Sequence, residues 1–367
     1  LRKKRILLLS EGFGTGHTQA AHALSVSLRR LSPDVQTRVL ELGAFLHPTL
    51  ARIIFSAYRK TIVSNPQIYG FVYRKHRKSL NGLTGLALHR IFYSQTLAVI
   101  KQLKPDTIVC THPFPSAVVS RLKRAGLSVP LCTVITDYAA HGLWISPEVN
   151  KYFVSTDEVK QHLLQSGVPD HRVEVTGIPV HPDFWKQHDK DELLLRFGLK
   201  RIPTILVMGG GWGLGQREDM LAHMVRWRDK LQFIFCLGNN EKALARLAGN
   251  PTFHHPNIHL FGYTREIDKL MDVADLLITK PGGVTCAEGM AKGLPMLFYT
   301  PIPGHEEENC HYFTRQGLGA QIQSLDTLDC WFARLLDNCP TTERYSRMQG
   351  ESATGNPNTR YQAILEL

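Results

Sequence analysis

Short apolar runs alternate with stretches of helical periodicity along the whole chain. Residues 6–10, 37–41, 107–110, 131–135, 152–155 and 173–176 read as strands, each bounded by polar or glycine-bearing segments. Between the second and third of these lies a helical stretch of about 60 residues, an insertion relative to a simple βαβ unit. The run Gly177-Ile-Pro-Val-His-Pro182 breaks the pattern, and a polar helical segment follows to Lys200. A second alternating set occupies 204–208, 233–237, 258–261, 276–279 and 296–299. Most of these strands are apolar on both alternating faces, as parallel strands covered by helices on both sides must be. Two successive βαβ sets predict an α/β protein of two Rossmann-like doubly wound domains facing across a cleft. The expected domains are 1–180 and 181–345, with a tail at 346–367. Within the tail, 350–358 reads as loop and 359–367 as a short helix returning to the N-terminal domain.

Composition narrows the class. Of 367 residues, 43% are hydrophobic and 20% charged, a globular balance. No apolar run approaches the roughly 18 residues of a membrane-spanning helix. The opening Leu1-Arg-Lys-Lys-Arg-Ile-Leu-Leu-Leu-Ser10 is basic, but its apolar run is too short for a signal peptide. Seven scattered cysteines without Cys-x-x-Cys spacing point away from a disulfide framework or a zinc site, and toward a reducing compartment.

The net charge of +11 is unevenly placed. Residues 1–104 hold 17 basic and 3 acidic side chains; the remainder holds 26 and 29. Between Glu41 and Asp106 there is no acid, yet Arg52, Arg59, Lys60, Arg74, Lys75, Arg77, Lys78, Arg90, Lys101 and Lys104 occur, interleaved with aromatic residues. Such a surface suits anionic lipid. It equally suits nucleic acid, or a solvated helical face over an ordinary core. No nucleic-acid-binding motif supports the second reading.

Four motifs carry candidate chemistry. Ser10-Glu-Gly-Phe-Gly-Thr-Gly-His17 lies between a strand and a helix. It satisfies neither the dinucleotide G-x-G-x-x-G spacing nor a P-loop. A histidine at a helix start is easily kept neutral, so His17 suits a general base, or else simply caps the helix. Gly209-Gly-Gly-Trp-Gly-Leu-Gly215 follows the first strand of the second set and suits a pyrophosphate loop, or a tight turn. Thr279-Lys-Pro-Gly-Gly-Val-Thr-Cys-Ala-Glu288 brings two glycines to a helix start, with a carboxylate one and a half turns on that suits ribose hydroxyls. Pro301-Ile-Pro-Gly-His-Glu-Glu-Glu-Asn309 rigidly delivers His305 and three acids to a helix start. These acids complement the helix dipole or bind sugar hydroxyls. Consecutive acids face different directions and make a poor metal site.

Two further polar groups end strands of the first domain: Thr111-His112-Pro-Phe-Pro115 and Thr136-Asp137-Tyr-Ala-Ala-His141-Gly-Leu-Trp144. Ligands gather at such carboxyl ends, so Asp137 and His141 are expected near His17.

In their order along the chain, these motifs resemble the monogalactosyldiacylglycerol synthases and bacterial processive diacylglycerol glucosyltransferases of glycosyltransferase family 28, relatives of MurG. The resemblance covers nearly the whole chain. It implies a GT-B fold, a UDP-hexose donor, a diacylglycerol or glycosyl-diacylglycerol acceptor, inversion at the anomeric carbon and no obligatory metal or cofactor. It implies peripheral attachment to anionic lipid at the cytoplasmic face of the cell membrane, and it favours lipid over nucleic acid as the basic surface's partner.

Carried over by position, the resemblance makes His17 the base and Asp137 its orienter or an alternative base. Gly210 and Gly211 would cradle phosphate. The Phe261-Gly-Tyr263 turn would hold uracil; Gly282, Gly283 and Thr285 the pyrophosphate; and Glu288 the ribose. Glu306, with Asn309 in the same motif, would hold the hexose. His305 stands where the family commonly has Gln, which bears on sugar identity; the closer match to the bacterial enzymes favours glucose over galactose. Arg59, Lys60, Arg74, Lys75, Arg77, Lys78, His141 and Trp144 would face acceptor and membrane. The alternatives are a soluble GT-B enzyme acting on a sugar nucleotide alone, such as an epimerase, and a non-catalytic UDP-sugar sensor or membrane scaffold.

Overall fold

The computed structural model describes residues 2–64, 95–209, 218–337 and 359–367, without the side chains of 59, 61–64 and 359. The chain divides into two compact units: Leu1–Pro182 with Ile302–His305 and Gly355–Leu367, and Asp183–Pro301 with Glu306–Thr354. Each is built on a six-stranded parallel sheet.

In the first unit β1 (Lys4–Ser10), β2 (Val35–Glu41), β3 (Thr107–Cys110), β4 (Leu131–Val134), β5 (Lys151–Val154) and β6 (Val173–Val175) run in the order β2-β1-β3-β4-β5-β6. Alternation along β1 explains its unbroken apolar run. Ile6 and Leu8 pack on one face with Leu24, Leu28, Tyr361 and Ile364. Leu7 and Leu9 pack on the other with Val118, Val119 and Leu131. Helix α1 (Thr15–Leu31) buries Ala20, Ala21, Leu24 and Leu28 at helical spacing and ends on Arg29 and Arg30, which complement its dipole. Helices α2 (Leu42–Leu46) and α3 (Pro48–Ser64) follow β2. Then come α4 (Thr96–Leu103), α5 (Pro113–Arg124) and α6 (Asp157–Gln165). The C-terminal segment packs in this unit: Ile364 is fully buried, the Tyr361 hydroxyl donates to Gly177 O at 3.1 Å, and Lys4 Nζ donates to Leu365 O at 2.7 Å.

The second unit contains α7 (Lys190–Phe197), β7 (Thr204–Met208), α8 (Glu218–Met224), β8 (Gln232–Cys236), α9 (Glu241–Ala248) and β9 (Ile258–Phe261). It continues with α10 (Ile267–Val273), β10 (Leu276–Thr279), α11 (Gly283–Ala291), β11 (Met296–Phe298), α12 (His305–Arg315, of which His305 belongs to the first unit), β12 (Gly319–Gln321) and α13 (Leu325–Leu336). Its sheet order is β12-β11-β10-β7-β8-β9. A last helix, α14 (Ala363–Glu366), belongs to the first unit.

All eleven strands expected from the pattern form. β12 is the one the pattern did not indicate. It is three residues, Gly-Ala-Gln, with no apolar run to mark it. Its glycine is required: a Cβ on Gly319 would stand 2.9 Å from Met296 O and 2.6 Å from the Phe298 ring.

The strand orders reverse direction between β1 and β3 in one sheet and between β7 and β10 in the other. Open parallel sheets bind ligands outside the carboxyl ends of strands at such reversals. The His17 and His112 loops follow β1 and β3; the Gly209 and Gly282 loops follow β7 and β10. No helix among the described residues is long and apolar enough to cross a membrane.

Candidate active site

At the first reversal the loop after β1 brings His17 into the first turn of α1. Its Nδ1 lies 2.7 Å from the Thr136 hydroxyl, just after β4, and the Thr111 hydroxyl donates to its backbone carbonyl at 2.9 Å. Burial lowers the His17 pKa, while the nearby Asp137 carboxylate works against that shift. The outcome is a ring below its ordinary value, neutral at pH 7. Asp137 is itself buried, and its backbone carbonyl accepts from Ser155 Oγ at 2.7 Å. Its carboxylate is near enough to act electrostatically on the His17 ring.

His112, which the sequence marked only as a polar strand end, belongs to the same group. Its ring stands 4.7 Å from that of His17, nearly perpendicular. Phe13, from the glycine loop, stacks on His112 and meets Phe55, Tyr58 and Phe114 edge-on at 5.0–5.5 Å. Gly12 makes this possible: a Cβ there would stand 2.8 Å from Phe55 Cε2. The signal for His112 was its place before Pro113, since a side chain in front of an N-terminal proline caps the following helix.

Trp144 is fully buried in the first unit's core, with its ring 6.1 Å from His17 and 6.3 Å from His141, so it backs the histidines. His141 is 7% exposed. Lys60 is exposed, as is Ile53 on the same helix at 62%. The Arg59 side chain and Arg74, Lys75, Arg77 and Lys78 lie outside the described residues, as do Gly210 and Gly211.

At the second reversal Gly282 is the N-cap of α11, whose first turn holds no acid. Among the described residues a Cβ on Gly282 would meet nothing within 4 Å, so none of them blocks the glycine at the helix N-cap. Gly283 and Thr285 lie in that first turn. Further along, Glu288 has its pKa pushed up to about 8, first by burial and then by the Asp268 carboxylate on α10. Asp268 was not expected here; an acid inside an amphipathic helix carries no signal until the fold sets it against another.

The proline-rich loop after β11 opens α12 with His305. Glu306 is 4% exposed and accepts from Lys280 Nζ at 2.8 Å. Asn309 is fully buried and donates to Pro281 O at 3.0 Å. That bond ties α12 to the Lys280–Gly283 turn. The Tyr299 hydroxyl donates to Met208 O at 2.9 Å and fixes the strand end from which the Gly209 loop departs. Phe261 meets Phe197 edge-on, and Tyr263 is 62% exposed two residues on. The chain's Asp-x-Asp, Asp189-Lys190-Asp191, caps α7: Asp189 accepts from the backbone N–H groups of Asp191 and Glu192. Among the described residues no cluster of three or more His, Cys, Asp or Glu side chains has metal-holding geometry.

Two Rossmann-like parallel sheets, one with a histidine group and the other with a glycine-capped helix start at its strand reversal, are the architecture of the GT-B fold. Solved structures similar in fold include Acinetobacter baumannii MurG (16% identity, 99% of each chain, TM-score 0.59). SnogD from Streptomyces nogalater is another (17%, 99% of each chain, TM-score 0.63). So is the UDP co-structure of S. aureus MnaA (15%, 99% of this chain and 95% of that one, TM-score 0.62). Residues 17–180 match the family model for monogalactosyldiacylglycerol (MGDG) synthase, and residues 204–354 match the glycosyltransferase family 28 C-terminal domain. Processive diacylglycerol beta-glucosyltransferases of Bacillus cereus and Bacillus anthracis are 31% identical over 326 residues, spanning 88% of this chain and 83% of theirs. The chain belongs to glycosyltransferase family 28, with an N-terminal domain of the MGDG-synthase type.

Proposed function

We propose that this glycosyltransferase transfers a hexose, glucose in preference to galactose, from its UDP conjugate to diacylglycerol or a glycosyl-diacylglycerol. The transfer proceeds with inversion, without an obligatory metal, at the cytoplasmic surface of a membrane. The 31% identity to enzymes that bear the diacylglycerol glucosyltransferase name supports the acceptor and the sugar. The basic, acid-free stretch between Glu41 and Asp106 supports an anionic lipid surface over nucleic acid.

The observation that carries the reading is the state of His17. A buried imidazole held neutral is a base at physiological pH. In the tautomer whose Nδ1–H donates to the Thr136 hydroxyl, the lone pair is on Nε2. That nitrogen takes the proton of the acceptor hydroxyl as its oxygen attacks the anomeric carbon on the face opposite UDP, which inverts the centre. The leaving diphosphate gains charge, and the N-terminus of α11 at Gly282–Gly283 stabilises it with backbone N–H groups and the helix dipole. Glu288 holds the ribose and Glu306 the hexose; the Phe261–Tyr263 turn holds uracil through backbone groups.

The deciding experiment incubates the enzyme with labelled UDP-glucose or UDP-galactose and diacylglycerol liposomes, with EDTA or with magnesium. Lipids are separated by chromatography and the anomeric configuration is read by NMR. A β-glucolipid formed equally in EDTA is the expected result. Failure to label any lipid overturns the acceptor, and a strict metal requirement overturns the metal-free mechanism.

A further inference from the structure

His112 precedes α5, and its ring is constrained by three neighbours. Pro113 occupies the first helical position and has no N–H, so Phe114 supplies the first free helix donor. That N–H donates to His112 Nδ1 at 3.2 Å. A nitrogen that accepts must present a lone pair, so the neutral ring carries its proton on Nε2. An imidazolium would have a hydrogen on both nitrogens and lose the cap. Phe13 stacks on the ring at 5.8 Å, and His17 stands across it at 4.7 Å. Burial, followed by the neighbouring His17 and His141, holds its pKa well below the ordinary value. The residue is 5% exposed, yet its Nε2 keeps accessible surface, and among the described residues no protein group accepts from it. A donor fixed in one tautomer, on a ring held in place by its neighbours, is available to a ligand oxygen.

We propose that His112 donates its Nε2–H to the acyl ester carbonyl beside the hydroxyl being glycosylated, making the enzyme selective for ester-linked over ether-linked diglycerides. This rests on the diacylglycerol reading above and adds a specificity-determining residue to it. In a 1,2-diacylglycerol the free hydroxyl and an ester sit on adjacent glycerol carbons. The two imidazoles are complementary to that pair. His17 presents a lone pair to a group that donates, and His112 presents a fixed N–H to a group that can only accept. A dialkylglycerol keeps the hydroxyl and loses the carbonyl.

The test compares kcat/KM for a 1,2-diacylglycerol and a chain-matched 1,2-dialkylglycerol in mixed micelles, with UDP-glucose and UDP-galactose both supplied. The variant is His112→Asn, because Asn is among the strongest helix caps and its side chain is too short to replace Nε2–H. The wild type should favour the diacyl acceptor about three- to tenfold, the value of one neutral hydrogen bond. In His112→Asn that ratio should fall toward one through a raised KM for the diacyl acceptor, with melting close to wild type. A wild type without ester preference overturns the proposal, and so does a variant that loses both acceptors in proportion. Absence of transfer to either diglyceride defeats the diacylglycerol reading itself; equal transfer to both defeats only the role of His112.

Discussion

Lys280 Nζ lies 2.8 Å from Glu306 Oε1, and only 18% and 5% of their side-chain surfaces are exposed. This pair joins the turn after β10 to the first turn of α12. The carboxylate proposed above for sugar hydroxyls is thus held by a cation from the turn that leads into α11. Removing the cation leaves a carboxylate out of water without that partner, which is costly. Lys280→Met should lower stability by on the order of 3 kcal/mol, read as a shifted urea midpoint. Glu306→Ala should weaken UDP-hexose binding more than UDP binding in calorimetry. Equal losses would make the carboxylate a support for the loop and nothing more.

His17→Ala should lower turnover by roughly 10²–10⁴-fold while leaving UDP affinity intact, since a general base acts in the transition state. The pH profile carries a sign. The His17 pKa is depressed, so the neutral base is present above a value lying below the ordinary one and is lost as pH falls through it. The acid limb of kcat/KM should therefore lie below pH ~6.5, the unperturbed histidine value. An acid limb above that value would move the base to another group.

Glu288 titrates in the opposite sense. Its folded pKa of about 8 is raised above the unfolded value, so its protonated form is favoured by folding. The resulting stability is fully present below the unfolded pKa and is lost as pH rises toward 8, at up to about 1.4 kcal/mol per pH unit. Glu288→Gln removes this titration. The variant should melt higher than wild type at pH 8–9, and the difference should shrink toward pH 5. A difference independent of pH would mean that Glu288 is ionised throughout.

Membrane attachment should depend on charge. Each basic residue near an anionic surface contributes ~1 kcal/mol, screened by salt. Changing Arg74, Lys75, Arg77 and Lys78 together to Ser should weaken sedimentation with phosphatidylglycerol vesicles and leave UDP binding unchanged. Equal retention on neutral and anionic vesicles at low salt would remove the electrostatic contribution.

The parallel strands could be read from sequence because each is a local apolar run long enough to be covered on both faces, as Leu7 and Leu8 show by packing into opposite cores. The glycine loops and His17 were legible for a related reason: tight strand-to-helix turns need particular residues at particular spacings. β12 was not, because an edge strand of Gly-Ala-Gln is held by its neighbour β11 and by the fit of Gly319 against Phe298.

The state of each polar atom was also beyond the local pattern. Trp144 and Asn309 stand in motifs that point to ligands, yet both are fully buried, one behind the histidines and the other against Pro281 O. His112 became a fixed donor only when Phe114, Phe13 and His17 closed around it. Backbone conformation and apolar periodicity arise from neighbours along the chain. Tautomer, ion pairing and proton affinity arise from neighbours in space, 26 residues apart for Lys280 and Glu306 and 119 for His17 and Thr136.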